Sequence, residues 1–121
     1  FSWVRTSLSS GETIRVVTDQ ISNPTWTWSL SEAICKLMIN NLEGLYHYAG
    51  DDILSRYDFA LKIATSYGYD KNKIVPILTN ELEQLANRPS YSILNCEKIK
   101  NHIDIEHPSI DVIIGKIKEN E

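Results

Sequence analysis

Cysteine is scarce: Cys35 and Cys96 are the only two in 121 residues, and they form neither a CxxC pair nor a dense disulfide framework. That scarcity fits a reducing compartment, so the chain is expected in the cytoplasm, with a single Cys35–Cys96 bridge as the alternative. No apolar run approaches the roughly 20 residues that a membrane span needs, and no signal peptide is visible. Positive charge is not in excess. Twelve Lys and Arg stand against sixteen Asp and Glu, for a net charge of -4, and the basic residues are scattered. This argues against nucleic acid or an anionic membrane as a partner, because phosphate affinity needs a basic surface. The five glycines, Gly11, Gly44, Gly50, Gly68 and Gly115, lie too far apart to build the turn that holds a dinucleotide pyrophosphate. A Walker loop, a metalloprotease helix and a nucleophile elbow are also missing. No catalytic residue, bound metal or cofactor is therefore expected within the chain. It opens at Phe1 in mid-pattern, as a fragment would, and its charged end, Lys116 to Glu121, reads as a natural terminus.

What is present is ordinary soluble-domain material, 42% hydrophobic and 23% charged, enough for one compact domain with one apolar core. Phe1 to Leu8 reads as the end of a helix closed by Ser10 and Gly11, and Thr13 to Val17 as a β-branched strand. A polar loop runs from Asp19 through Pro24 to Trp28. Ser29 and Glu32 have the spacing of a capping box, which would start the next helix. Leu30, Ala33, Ile34, Leu37 and Met38 would form its buried stripe. Leu45 to Tyr48 is expected as a short strand ending at Gly50. A helix follows from about Ser55 to Tyr67, with Gly68 as its left-handed cap. Ile74 to Leu78 is a third strand, pushed to an edge or bulge by Pro76. Arg88 precedes Pro89 and is held extended. Asn95 would cap a short helix burying Cys96, Ile99 and Ile103. Ser109 would cap the last helix, whose Ile110, Ile113, Ile114 and Ile117 share a face. The fold class is α/β, with short strands packed against three to five helices.

Few residues suggest chemistry by themselves. His102 and His107 are spaced wrongly for two imidazoles on one helical face, so surface histidines near a turn are expected rather than a zinc site. His47, between Tyr46 and Tyr48, reads as a half-buried, satisfied histidine. Trp26 and Trp28 offer either a stacking platform for a base or packing of the loop on the core. Tyr67 with Lys71, and Tyr69 with Lys73, match the Tyr-x-x-x-Lys spacing of short-chain dehydrogenases. That motif requires one unbroken helix, which Gly68, Asp70 and Asn72 interrupt, so the match is accidental.

Four longer segments carry more. They are Val16-Val17-Thr18-Asp19-Gln20-Ile21-Ser22-Asn23-Pro24-Thr25, then Gly44-Leu45-Tyr46-His47-Tyr48-Ala49-Gly50, then Ser55-Arg56-Tyr57-Asp58-Phe59-Ala60. The last is Arg88-Pro89-Ser90-Tyr91-Ser92-Ile93-Leu94 with Lys98 beyond it. In this order they resemble the dTDP-4-dehydrorhamnose reductases, a group of the extended short-chain dehydrogenases. The resemblance implies a two-part enzyme. An N-terminal Rossmann domain would bind NAD(P)H and carry the catalytic Ser/Thr, Tyr and Lys. Residues 1–121 match the C-terminal substrate-binding domain. The complete enzyme would reduce the 4-keto group of dTDP-4-dehydro-L-rhamnose in dTDP-L-rhamnose biosynthesis, and this chain alone would be inactive.

Carried over residue by residue, Gln20, Pro24 and Thr25 lie where the family's loop faces substrate, and Arg88 matches an arginine near the nucleotide diphosphate. A guanidinium fork suits phosphate oxygens. The plainer alternatives are loop hydrogen bonding for Gln20 and Thr25 and a loop-anchoring role for Arg88. The chain departs from the family pattern at Trp28, where a small residue is usual, at Ser29, usually Asp, and at Asn23. Ser in place of Asp preserves an N-cap, whereas the bulk of Trp28 puts the exact sugar in doubt. A different reading is a non-catalytic relative, similar to the regulatory subunit of methionine adenosyltransferase, or a freestanding interaction domain of this fold. Without the Rossmann domain the chain would expose apolar surface, favouring a homo-oligomer.

Overall fold

The computed structural model of the chain describes residues 1–82 and 86–121. Its elements in order are α1 (Ser2–Ser9), β1 (Ile14–Val17), β2 (Ile21–Ser22), α2 (Thr27–Ile39), β3 (Leu54–Ser55), α3 (Arg56–Tyr67), β4 (Ile74–Ile77), β5 (Tyr91–Ser92), α4 (Glu97–His102) and α5 (Ile110–Glu119), with 3-10 turns at Lys71–Lys73 and Thr79–Glu81. The α/β class with short strands is as expected.

The strands form two small sheets. β1 and β4 pair in parallel, with Ile14 opposite Ile74 and Val17 opposite Ile77. Pro76 sits opposite Val16 in this two-stranded sheet, where every strand is an edge and a missing N–H is tolerated. In the second sheet β2 is central. It runs antiparallel to β3, pairing Ile21 with Ser55, and parallel to β5, pairing Ile21 with Tyr91. α3 starts directly from β3 because Ser55 caps it. Its Oγ accepts from Asp58 N at 3.0 Å, and the Asp58 carboxylate accepts from Ser55 N at 3.4 Å. Gly68 closes α3 in the left-handed region, at φ 73°. Ser109 caps α5, whose Ile110, Ile113 and Ile114 are buried. Each such side chain contributes roughly 1.5–3 kcal/mol on leaving water.

One core was expected and two apolar clusters are found. The larger joins Val4 and Leu8 of α1, Ile14 and Val16 of β1, Ala60, Ile63 and Ala64 of α3, Ile74, and the α5 isoleucines. The smaller joins Ala33, Ala49, Cys96, Ile99 and Ile103. Both cysteines are free, Cys35 exposed and Cys96 buried, and Cys96 Sγ accepts a hydrogen bond from Ala49 N at 3.2 Å. Asn95 acts one residue before the helix boundary: its Oδ1 accepts from Glu97 N at 2.8 Å.

Two expectations fail around α2. The helix starts at Thr27 with extended Trp26 before it, and no side chain caps it. Ser29 is buried within the first turn, and Glu32 instead accepts from Trp28 Nε1 at 3.3 Å. Packing of Trp26 on the larger cluster sets the start, overriding the capping spacing. The expected apolar stripe is also only partly inside. Ala33 is buried, Leu30 and Leu37 are half-buried, while Ile34 and Met38 are 48% and 71% exposed. α2 docks through the small residues Ser29 and Ala33, one turn apart, with Leu37 packed on the smaller cluster, and leaves Ile34 and Met38 facing solvent.

Leu45 to Tyr48 is irregular rather than a strand. Its alternation survives, with Tyr46 and Tyr48 turned inward and Leu45 and His47 exposed, but no strand pairs with it. Lys98 Nζ donates to Leu45 O at 2.7 Å and Gly50 N to Pro24 O at 3.1 Å, which fixes the segment without a ladder. His47 is therefore a solvent-facing residue, not a half-buried one.

Candidate functional site

The register of the second sheet brings three distant segments together. Arg56 N donates to Gln20 O at 3.2 Å, and Ile21 N donates to Ser90 O at 2.8 Å. Gln20, Ser22, Arg56, Arg88 and Ser92 consequently line one cleft of about 230 Å³. Arg88 also lines a neighbouring cleft of about 570 Å³ with Asp19, Thr79, Asn80 and Asn87. Of the four expected site residues, Gln20 and Arg88 meet. Pro24 and Thr25 do not line either cleft at Arg88. Pro24 spends its carbonyl on Gly50 N, and Thr25 is exposed.

A polar network fixes the floor between the clefts. Gln20 is buried, and its Nε2 donates to Thr79 Oγ1 at 3.1 Å. Thr79 Oγ1 in turn donates to Asp19 Oδ1 at 2.7 Å, while Thr79 N donates to Oδ1 at 3.0 Å and Oδ2 at 3.1 Å. These bonds, the side-chain hydroxyl first and the backbone N–H second, stabilise the carboxylate and hold Asp19 below the usual carboxylate range. Asp19 and Thr79 thus tie the residues after β1 to those after β4, and they hold Gln20 in place. Arg88 is exposed, and among the described residues its side chain has no hydrogen-bond or ion-pair partner, so it anchors no described loop.

The remaining candidates take structural roles. Trp26 and Trp28 stack with centroids 6.4 Å apart beside a cleft shared with Lys116, and Trp26 also packs on the core. His102 Nδ1 lies 2.7 Å from Lys98 O, and His107 Nδ1 lies 3.2 Å from Ala49 O. Among the described residues no three His, Cys, Asp or Glu side chains are placed to hold a metal. Tyr67 and Lys71 are separated by the end of α3 at Gly68, so the tyrosine–lysine spacing carries no helix. Burial raises Tyr48 above the ordinary phenol range, beside His107 at 5.0 Å between rings. No described helix is long and apolar enough to cross a membrane.

The family model described as the RmlD substrate binding domain matches residues 2–117. The chain belongs to that family. This RmlD substrate binding domain is similar to parts of longer relatives. A spore coat polysaccharide biosynthesis protein, SpsK, of Bacillus subtilis is 37% identical over 102 residues, covering 82% of this chain and 35% of that protein. A dTDP-4-dehydrorhamnose reductase of Mycolicibacterium smegmatis is 31% identical over 93 residues, 75% of this chain and 28% of the relative. Among solved structures, dTDP-4-dehydrorhamnose reductase of Bacillus anthracis in complex with NADP superposes with a TM-score of 0.90 at 28% identity, covering 99% of this chain and 42% of that one. The chain therefore spans about a third of the length of the curated relatives it matches.

Sequence reasoning missed Arg56 and the Asp19–Thr79 pair. Thr79 is 60 residues from Asp19 and belongs to no quoted segment, so only the β1–β4 pairing reveals it. Arg56 lay inside a matched segment, but at a position to which the resemblance assigned no role.

Proposed function

We propose that residues 1–121 are the C-terminal substrate-binding domain of an NAD(P)H-dependent reductase acting on the 4-keto group of a dTDP-sugar, dTDP-4-dehydro-L-rhamnose, in dTDP-L-rhamnose biosynthesis. An N-terminal Rossmann domain supplies the cofactor site, the catalytic residues and the hydride. This chain supplies a surface that holds and orients the activated sugar. The observation carrying the reading is Arg88, free of any acidic partner among the described residues, at the junction of two clefts and beside buried Gln20. Family membership supports it, and so do relatives named as dTDP-sugar reductases, one of them solved with NADP. Two free cysteines support a cytoplasmic setting.

In this assignment Arg88 presents its guanidinium fork to the diphosphate, and Gln20 acts from the cleft floor. Pro24 and Thr25 shape the loop leading into α2 and are assigned contact with the sugar end of the substrate. Holding the substrate lowers the entropic cost of hydride transfer without any bond changing on this domain.

The test is kinetic. In the complete reductase, Arg88→Ala should raise KM for the nucleotide sugar about tenfold, the worth of one charge-assisted contact, with kcat little changed. An unchanged KM removes Arg88 from the site. The 121-residue chain alone should oxidise no NAD(P)H with the keto sugar; turnover by it would place the chemistry here after all.

A further inference from the structure

The chain holds four arginines, and the structure divides them into two pairs. Arg5 is paired with Glu121, and Arg15 lies 3.8 Å from Glu81. Arg56 and Arg88 have no side-chain partner among the described residues, and both line the cleft of about 230 Å³ at the β2 end of the second sheet. Among the described residues no carboxylate lines that cleft; its other polar side chains are Gln20, Ser22 and Ser92. On a chain of net charge -4, two guanidinium groups that share one small cleft and have no acidic partner among the described residues are a local inversion of sign. Two like charges lining one cleft repel, and a multivalent anion between them reverses that interaction.

We propose that Arg56 is a second anion-binding residue of this site, and that it clamps the nucleotide diphosphate together with Arg88. The proposal rests on the reading of the cleft as the nucleotide-sugar site and adds a residue to it. Arg56 is well placed by the backbone alone. It is the first residue of α3, follows the capping Ser55 of β3, and its N–H is bonded to Gln20 O, so its Cα is held beside the start of β2. Arg88 approaches from the other side, through the segment that pairs β5 with β2. The two cations thus come from opposite neighbours of the central strand. Such an arrangement suits a ligand with two adjacent charged groups better than a monophosphate, because each fork can take its own phosphoryl oxygens.

Titration calorimetry of the chain at low salt tests this with dTDP, inorganic pyrophosphate and thymidine as probes. Arg56→Gln should weaken dTDP and pyrophosphate about tenfold and leave the thymidine response unchanged. Arg56→Lys, which keeps charge but not the fork, should recover part of the loss. Arg15→Gln, remote from the cleft and already paired with Glu81, should change nothing. If Arg88→Gln weakens dTDP while Arg56→Gln binds as the wild type does, the clamp is wrong and the reading of the cleft survives. If the wild type takes up neither dTDP nor pyrophosphate at millimolar concentration, both fall.

Discussion

Asp19 precedes Gln20, and its carboxylate accepts three hydrogen bonds from Thr79. These bonds favour the ionised form, so the carboxyl group titrates lower in the folded chain than in the unfolded one. A group with a depressed folded pKa contributes stability that is complete above its unfolded value, about 3.9. The contribution is lost as pH falls through the folded value. Asp19→Asn keeps one acceptor and loses the charge. It should therefore lower the urea midpoint at about pH 7, and the gap to wild type should shrink towards about pH 3. An equal gap at both pH values would mean that the charge of Asp19 is irrelevant. Because Thr79 also receives the Gln20 amide, the same substitution should loosen Gln20 and weaken dTDP binding.

Between elements, the site depends on two backbone registers and one close approach. The segments that carry their own local signals were legible in the sequence. α3 announced itself by Ser55 and Gly68, α5 by Ser109 and its isoleucines, and β4 by its β-branched run, because each signal is short-range. α2 was misread because its start is set by Trp26 packing on a distant core, and its docking face uses small residues that hydrophobic periodicity does not weigh. Gln20 and Arg88 were legible only through resemblance; their meeting is a product of β2–β5 pairing, and the arrival of Arg56 is a product of β2–β3 pairing. Gly50 was legible as the end of an expected strand and not as a contact. A Cβ on Gly50 would lie 2.5 Å from the Pro24 carbonyl oxygen, a backbone atom with no rotamer to yield, whereas a Cβ on Gly68 would meet nothing within 4 Å. Gly68→Ala should thus cost about 1 kcal/mol for its left-handed backbone alone. Gly50→Ala should cost more, because it must break the Gly50 N to Pro24 O bond as well. Chemical denaturation of the two variants ranks them, and the reverse order would show that the loop yields freely.

For the molecule as a whole, the consequence of docking α2 through Ser29 and Ala33 is an apolar face left in water. Ile34, Met38 and Ile39 are 48%, 71% and 77% exposed, and Ile34 and Met38 are one turn apart on the same side. Apolar side chains clustered on one helix face favour association, since each buried methylene contributes roughly 0.8 kcal/mol. The net charge of -4 is small for 121 residues and opposes association only weakly. The chain on its own should therefore sediment as a concentration-dependent self-associating species. Replacing Ile34 and Met38 with lysine should shift it to monomer at little cost in stability, because neither side chain belongs to either core cluster. The dTDP titration of that double variant should match wild type, since α2 contributes nothing to the cleft shared by Arg56 and Arg88. A wild-type chain that remains monomeric at high concentration would show that this face is too dispersed to drive association. Monomerisation accompanied by loss of dTDP binding would mean instead that the cleft is complete only when two copies meet.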